Sequence, residues 1–277
     1  MRPYVDGYFL LSLVQSDRFV KVVLDNCTGT SYPAINANDL AEIEVSAPLD
    51  ENEAQKIGTI FRNIDNLITL HQRECISFTG RADRLILTAN KKRTTSSWEQ
   101  RKLGECFSER VESMPDGELI SVTINDGIKK FSELGRHDNS NDNKSKYKKV
   151  CVGDIAYNSM RMWQGASGYS PYEGIVSPAY TVLSPNAGVF SRCIAYQFKL
   201  AQMIHTFQIN SQGITSDNWN LKYPTLSEIE IYISKNVAEQ KHIAEFFTSL
   251  DNLITLHQRE LEKLQNIKKS MLEKMFV

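Results

Sequence analysis

The sequence predicts an α+β protein in which irregular α/β domains alternate with two long helices that pack as an antiparallel coiled coil. The ten residues Asp65–Glu74 return unchanged as Asp251–Glu260, and an internal repeat of this kind marks a repeated structural unit. Both copies place apolar residues at the i, i+3, i+4, i+7 spacing of one helix face. The segments between them do not alternate strand and helix regularly, which argues against a doubly wound nucleotide-binding fold.

The repeat extends beyond the identical residues at the same offset of 186 positions. Upstream of the helices, Leu40–Val45 corresponds to Leu226–Ile231. The repeating unit is therefore the tail of a domain followed by a helix. Within the helices, Ile57, Phe61 and Ile64 correspond to Ile243, Phe247 and Leu250.

Residues 1–49 precede the first repeated helix. The aliphatic run Phe9–Val14 indicates a helix, Gly29–Ser31 a loop and Ile43–Val45 a strand. The same order closes the second domain, which takes 137 residues from Trp98 to Ser234. Against the 49 residues found here, we expect about 90 to be missing from a shortened first domain.

The first repeated helix is predicted over residues 50–74. Asp50 can cap its free amide groups, and Glu51 and Glu53 suit the positive end of the helix dipole. The apolar periodicity fades after Glu74. Because the following stretch is basic and rich in Thr and Ser, we predict a linker over residues 75–97.

The second domain is predicted over residues 98–235. Polar loops are expected at Gly135–Lys149 and Asn158–Glu173, and long polar loops on a scaffold are where recognition residues usually lie. Strands are predicted at Leu119–Ile124, Val150–Tyr157, Ile175–Leu183 and Ile229–Ile233, and a helix at Phe190–Phe207.

The C-terminal helix, predicted over residues 236–277, keeps one apolar stripe for about four heptads. Such a stripe requires a partner helix, and the first copy is the candidate within the chain. The stripe residues of the two helices are Ile57, Phe61, Ile64, Leu67, Phe247, Leu250, Leu253, Ile254, Leu261 and Leu264.

Charge is concentrated locally. The net charge of −1 excludes a protein whose whole surface attracts polyanions. Basic residues outnumber acidic ones seven to two between Arg81 and Lys102, and five to two between Arg136 and Lys149. Such patches can bind a phosphate backbone, although a solvated loop has the same composition.

The chain lacks the marks of a membrane or secreted protein. No apolar run reaches the roughly 18 residues of a membrane helix, and the N-terminus has no apolar signal core. We therefore expect a cytoplasmic location and no membrane partner. The five cysteines are odd in number and more than 30 residues apart, so we expect them to be reduced and to bind no zinc.

Catalytic motifs are missing. The sequence has no phosphate-binding glycine loop, dinucleotide fingerprint or His-Glu-x-x-His metal site, and no Asn-Pro-Pro-aromatic motif of an adenine methyltransferase. Glu239 and Lys241 have the spacing of a nuclease pair, but their Pro-Asp companion lies 123 residues upstream. His71 and His257 occupy the same position of the apolar stripe and are interpreted as packing residues. We therefore predict no catalytic residue and no metal site.

DNA contacts are predicted in three segments. Around residues 158–165, Arg can pair with guanine, and Asn or Gln with adenine; the alternative is that the Met and Trp residues there belong to the core. A lysine-rich loop can contact phosphates, and a third polar loop at residues 211–220 is also consistent with an ordinary turn. The candidate residues are Lys144, Lys146, Lys148, Lys149, Asn158, Ser159, Arg161, Trp163, Gln164, Ser167, Thr215 and Ser216.

This plan resembles the specificity subunit of Type I restriction-modification enzymes, in which two target recognition domains alternate with two similar helices. Trp98–Glu105 resembles the opening of such a domain, and Gly153–Gly168 and Gly174–Tyr180 resemble segments inside it. The resemblance implies that residues 1–49 are the C-terminal part of a first recognition domain, truncated at its N-terminus. It also implies that residues 98–235 form a second one.

The resemblance further implies a non-catalytic chain that binds double-stranded DNA and docks modification and restriction subunits through its helices. Adenine methylation and DNA cleavage then belong to the partners, together with S-adenosylmethionine, ATP and Mg²⁺, so no cofactor is expected here. The alternatives are a helical assembly protein that reads no sequence, which includes a homodimer of half-subunits, and a self-standing nuclease or methyltransferase, which the missing motifs disfavour.

Overall fold

The computed structural model describes residues 5–28, 34–91, 97–124, 127–135, 143–213 and 218–276. The chain divides into two compact units, one of residues 1–80 and 251–277 and one of residues 81–250. None of the described helices has an apolar stretch long enough to cross a membrane.

Three short helices open the first unit: α1 (Gly7–Val14), α2 (Asp17–Asp25) and α3 (Ala37–Ala41). Asp6 caps α1 by accepting hydrogen bonds from the backbone amides of Tyr8 and Phe9. The helix predicted at Phe9–Val14 is thus confirmed. The loop predicted at Gly29–Ser31 lies outside the described residues.

The strand predicted at Ile43–Val45 is wrong, because residues 42–48 have no regular structure. The corresponding segment of the second copy forms a strand because it pairs with Trp98–Lys102. In the described part of the first copy no strand lies opposite residues 43–45. A strand without a ladder partner leaves its backbone groups to water, so the segment stays irregular.

Helix α4 (Glu51–Lys91) contains the first repeat. It begins where the sequence predicts, with the Asp50 carboxylate accepting from the amide of Asn52. It does not end at Glu74, so the linker predicted at residues 75–97 is wrong for residues 75–91. The apolar stripe fades there, but the segment contains no proline and a single glycine, so helical backbone hydrogen bonding continues.

Within the first unit, α4 packs antiparallel to the end of α9 (Val237–Met275). Phe61 stacks on Phe276 with ring centroids 5.9 Å apart. Further along α4, Asp65 forms a 2.7 Å ion pair with Lys268, and His71 faces His257. In these three contacts the residue number increases along α4 while it decreases along α9, which confirms the antiparallel arrangement.

The stripe residues divide by exposure. Phe61, Ile64 and Phe247 are buried by packing within the chain, so they are not open to a partner subunit. Leu67 and Leu253 are exposed. The half-buried members are Ile57, Leu250, Ile254, Leu261 and Leu264.

Strands and short helices make up most of the second unit, which also contains residues 81–91 of α4 and 237–250 of α9. A four-stranded sheet has the order β2-β9-β6-β7, and β1 pairs with β10, β3 with β4 and β5 with β8; every pair is antiparallel. The strands are β1 (Trp98–Lys102), β2 (Phe107–Glu109), β3 (Ile120–Thr123), β4 (Gly127–Lys130), β5 (Lys148–Val150), β6 (Ile155–Asn158), β7 (Ser167–Tyr169), β8 (Gly174–Val176), β9 (Tyr180–Pro185) and β10 (Glu230–Ser234), and the helices are α5 (Leu103–Cys106), α6 (Ser191–Phe198), α7 (Ala201–Asn210) and α8 (Tyr223–Ser227).

The predicted strands are confirmed, but two of them are split. The segment at Val150–Tyr157 breaks into β5 and β6 at Gly153, whose φ of +99° belongs to the left-handed region. The segment at Ile175–Leu183 breaks at Ser177–Ala179, because proline at position 178 cannot donate to a ladder. The helix predicted at Phe190–Phe207 likewise divides into α6 and α7.

The central strand β6 is buried on both faces. Ile155 and Tyr157 pack into one hydrophobic cluster, with α6, α7 and β10, whereas Ala156 packs into another cluster with β3, β4 and β8. Side chains alternate between the faces of a strand, so these three residues join both clusters. The strand is therefore held firmly up to Asn158, where the candidate recognition segment of residues 158–165 begins.

The repeat in sequence is also a repeat in structure. The bounds of α3, 37 and 41, map at the offset of 186 onto those of α8, 223 and 227. Each short helix is followed by an irregular or strand segment and then by a long helix, α4 or α9. The unit of a domain tail plus a helix is therefore present twice in the fold.

Candidate nucleic-acid interface

The segment of residues 159–166, here called the recognition loop, connects β6 to β7. Its backbone is closed on itself. The Arg161 amide donates to the Asn158 carbonyl at 3.0 Å, the Gly165 amide to the Met162 carbonyl at 2.8 Å, and the Ala166 amide to the Arg161 carbonyl at 3.2 Å. These bonds make a 3-10 turn at Met162–Gln164 and fix the shape of the loop before any ligand binds.

Two side chains, those of Met162 and Trp163, anchor the recognition loop to the rest of the second unit. Met162 is fully buried in the larger hydrophobic cluster. Trp163 is half-buried, packs edge-on against Trp219 with ring centroids 5.3 Å apart, and donates its indole N–H to the Met160 carbonyl at 3.1 Å. The core interpretation therefore holds for Met162, whereas Met160 is 47% exposed.

Arg161 and Gln164 project from the recognition loop into solvent. A guanidinium can donate two hydrogen bonds to the O6 and N7 atoms of guanine, and a carboxamide can pair with the N6 and N7 atoms of adenine. Asn158 is half-buried, and its side-chain oxygen already accepts from the Met160 amide at 3.0 Å. The loop thus offers two free reading groups beside one that supports the turn.

Ser159 and Ser167 lie inside the protein. The Ser159 hydroxyl is buried against that of Thr181 at 2.8 Å, and Ser167 is fully buried. Their burial contradicts a direct contact with DNA. Small polar residues at both ends of a tight hairpin connection serve the packing of the strands, and the sequence alone does not distinguish that use from readout.

The 211–220 segment lies beside the recognition loop. Its ends are joined because Gln212 and Asn220 exchange backbone hydrogen bonds of 3.2 and 2.9 Å. The Leu221 amide then donates to the Ser159 carbonyl at 2.9 Å. The structure therefore brings together two of the three segments predicted to contact DNA, although Thr215 and Ser216 lie outside the described residues.

The lysines of the third segment are less free than the sequence suggests. Lys148 pairs with Glu109 at 3.4 Å and Lys149 with Glu112 at 3.1 Å. The hydrogen bond that the Lys149 ammonium donates to Glu112 raises the pKa of Lys149. Lys146 is exposed and Lys144 is half-exposed, so these two are better placed for phosphate.

The lysine segment also lies apart from the recognition loop. Glu109, the partner of Lys148, sits opposite Leu183 on β9, whereas Asn158 sits opposite Tyr180. Three strand residues span about 10 Å. We therefore treat Lys144 and Lys146 as a separate positive patch.

Comparison with known proteins identifies the family of this chain. The model of the Type I restriction modification DNA specificity domain matches residues 95–266, which include the recognition loop and most of α9. The chain belongs to this family. None of the curated proteins matches it.

Solved structures of Type I specificity subunits share the fold. The S subunit of the Type I restriction-modification system from M. genitalium is 17% identical, with a TM-score of 0.56 over 99% of this chain and 73% of that one. The HsdS subunit from Thermoanaerobacter tengcongensis is 15% identical, with a TM-score of 0.56 over 98% of this chain and 70% of that one. A structure describing complex assembly and conformational transition of the type I R-M system is 14% identical, with a TM-score of 0.57 over 98% of this chain and 71% of that one.

One residue of this Type I specificity domain is not marked by any sequence pattern. Lys199, between α6 and α7, donates to the carbonyl of Gly165 at 2.7 Å and to that of Ile124 at 2.9 Å. Burial lowers its pKa to about 8. The ammonium thereby ties the end of the recognition loop to the turn after β3, a role that depends on tertiary contacts 34 and 75 residues away.

Proposed function

We propose that this chain is the subunit that selects the DNA sequence in a Type I restriction-modification assembly, with the recognition loop as its reading element. The observation that carries the proposal is a loop whose backbone and anchors are fixed while Arg161 and Gln164 stand in solvent. Membership of the DNA specificity domain family supports it, since the matched residues contain this loop.

In the proposed readout the two exposed side chains recognise different bases. Arg161 takes guanine and Gln164 takes adenine, each through a bidentate pair in the major groove. Lys144 and Lys146 contact phosphates and add affinity for any sequence. Trp163 keeps the loop in place through Trp219 rather than reading bases.

We propose that the chain itself is not a catalyst. Adenine methylation and DNA cleavage are assigned to modification and restriction subunits, which bring S-adenosylmethionine, ATP and Mg²⁺. The chain then binds double-stranded DNA without a cofactor of its own, in the cytoplasm, where that DNA is accessible.

The helices supply the proposed docking surface. Leu67 and Leu70 of α4 are 44% and 51% exposed, and Leu253 and Leu256, their counterparts in the repeat, are 41% and 51% exposed. Large apolar side chains exposed at equal positions of two helices mark interaction sites. Because the two positions are equivalent, we propose that each leucine pair receives one copy of the same partner, the modification subunit.

The proposed domain organisation follows the structural repeat. We assign residues 1–49 to the C-terminal part of one target recognition domain and residues 98–235 to a second, with a long helix after each. The equivalence of α3 and α8 supports this assignment. A protein that only assembles other subunits would need the helices but not the preorganised recognition loop.

The test is methylation mapping in cells that express this chain with its modification subunit. The wild-type chain is expected to direct adenine methylation to one motif, and Arg161→Ala is expected to relax one or two positions of that motif. Replacement of all four leucines, Leu67, Leu70, Leu253 and Leu256, by Ser should instead remove methylation at every site. An unchanged motif in the Arg161 variant would assign the reading to other residues.

A further inference from the structure

Two histidines and two glutamates meet between α4 and α9 in the first unit. The Nδ1 atoms of His71 and His257 are 3.2 Å apart. The Oε2 atom of Glu74 lies 3.7 Å from Nδ1 of His71 and 3.6 Å from Nδ1 of His257. The Oε2 atom of Glu260 lies at the same two distances.

The internal repeat explains why these four groups converge. His71 and His257 are the seventh residues of the two identical segments, and Glu74 and Glu260 are the tenth. In an antiparallel pair of identical segments, a residue meets its own copy only at the local twofold axis. That place is occupied here by histidine, so the axis gathers one donor set from each copy.

We propose that this cluster binds one divalent transition-metal ion, most simply Zn²⁺, between the two copies of the repeat. The two imidazole Nδ1 atoms and the carboxylates of Glu74 and Glu260 are the ligands. The donor atoms of His71, Glu74 and His257 already lie within 4.8 Å of one another. The site assigns to both histidines a role that their position in the apolar stripe does not reveal.

The spacing suits tetrahedral zinc. With Zn–N and Zn–O bonds of about 2.0–2.2 Å, neighbouring ligand atoms lie about 3.3–3.5 Å apart. The two nitrogens are already at 3.2 Å, and the nitrogen-to-oxygen distances need to shorten by a few tenths of an ångström. Glu260 stands outside the group of donor atoms that all lie within 4.8 Å of one another, so its carboxylate must also move closer to that of Glu74. Both glutamates are half-exposed, which leaves their side chains room for this movement.

Charge and tautomer are also consistent with the proposal. Two carboxylates balance a divalent cation, and imidazole with carboxylate suits zinc and its first-row neighbours. In the metal-free cluster, a hydrogen bond between the two Nδ1 atoms requires a proton on one of them. Once the ion binds, each imidazole carries its proton on Nε2 and presents a lone pair from Nδ1.

The consequence is a clamp on the helix pair. The bound metal joins His71 of α4 to His257 of α9. The site is complete only when these two helices are in register. Its binding free energy then adds to the stability of the folded pair, because the unfolded chain does not hold the ligands together. This inference stands apart from DNA recognition and does not depend on it.

The experiment uses the full chain without an affinity tag, stripped of metal by a chelator. Addition of Co²⁺ should give the visible d–d absorption of a tetrahedral site, saturating at one ion per chain. Zn²⁺ should abolish that absorption and raise the midpoint of thermal unfolding, and a chelator should reverse the rise. The paired variant His71→Ala and His257→Ala should bind Co²⁺ at least about tenfold more weakly.

Two further variants keep the result interpretable. His242→Ala removes an exposed histidine of α9 outside the cluster and should leave the Co²⁺ spectrum unchanged. If the double alanine variant fails to fold, Glu74→Gln with Glu260→Gln removes the two charges and keeps the histidine contact. Absence of the d–d absorption in the wild type, or equal Co²⁺ affinity in the wild type and the glutamine variant, would overturn the proposal.

Discussion

The guanidinium of Arg110 binds the buried carboxylate of Asp154 through two hydrogen bonds, Nε to Oδ2 at 2.7 Å and Nη2 to Oδ1 at 3.1 Å. This bond to Asp154 raises the pKa of Arg110. Asp154 also accepts from the backbone amide of Cys151 at 2.8 Å. The pair therefore ties the end of β2 to the turn that begins β6, the strand leading to the recognition loop.

Replacement of Asp154 by Ala should destabilise the protein strongly. The change removes the buried carboxylate and leaves the guanidinium of Arg110 with only the more exposed Glu112, 3.6 Å away, as counter-charge. Breaking a buried pair costs about 3–5 kcal/mol. Urea unfolding gives the measurement. Lys149→Ala breaks the exposed ion pair with Glu112 and should cost much less, because water already solvates both charges of an exposed pair. Equal losses in the two variants would contradict the structural role of Asp154.

Arg161→Ala and Lys146→Ala should weaken DNA binding in different ways. Loss of a bidentate contact removes about 1–3 kcal/mol of discrimination at one base pair, so the Arg161 variant should bind cognate and single-mismatch duplexes more equally. Loss of a phosphate contact weakens all duplexes alike and flattens the salt dependence. Competition binding of the assembled complex at two salt concentrations separates these effects. A uniform loss in the Arg161 variant would reject its reading role.

Gly165→Ala should disturb the recognition loop in two ways, through backbone strain and through a close contact with α7. Gly165 has a φ of +82°, and a Cβ there would lie 3.3 Å from Cδ1 of Ile204 on α7. Gly188 has the same φ but open space around it, so Gly188→Ala is the matched control. The left-handed conformation costs each variant about 1–2 kcal/mol. Only the Gly165 variant should also lose sequence discrimination in the duplex competition assay, and equal discrimination in both would contradict the anchoring by α7.

The elements that the sequence predicts well are those whose signal is local. The aliphatic run before Val14 and the alternating residues of β3 decide their own conformation through burial of one face. The end of α4 is not local in this sense, because helical hydrogen bonds continue after the apolar stripe stops at Glu74. The missing strand at Ile43–Val45 shows the opposite case, since a strand depends on a partner elsewhere in the chain.

The candidate site divides in the same way. The composition of residues 158–165 marks the recognition loop because Arg, Asn and Gln are unusual beside buried Met. It does not reveal that the side chain of Ser159 points inward towards Thr181, or that Glu109 engages Lys148, since both contacts join residues that are far apart in the sequence. Likewise, the convergence of His71 and His257 requires the antiparallel direction of the helices, and neither copy of the repeat contains that information alone.

Lys199 gives the protein a stability that changes with pH in an unusual direction. Burial lowers its pKa from 10.5 to about 8, so between these values the unfolded chain binds more protons than the folded one. Stability attributable to this residue must therefore rise as the pH rises from about 8 to about 10.5. In the Lys199→Met variant this rise in stability should disappear. The unfolding free energy of the wild type should therefore increase relative to that of the variant between about pH 8 and 10.5.

Urea unfolding at several pH values measures this difference, with Lys222→Met, at an exposed lysine, as the control that should show no growth. Loss of the ammonium also removes a donor from the carbonyls of Gly165 and Ile124, and the Gly165 carbonyl then keeps only the Ser167 amide at 2.8 Å. Amide exchange in the recognition loop should then be faster in the Lys199 variant than in the control. If the difference in unfolding free energy does not change with pH, the Lys199 ammonium is hydrated in solution. If the rate of amide exchange in the recognition loop is unchanged, the turn at Met162–Gln164 holds the loop without Lys199.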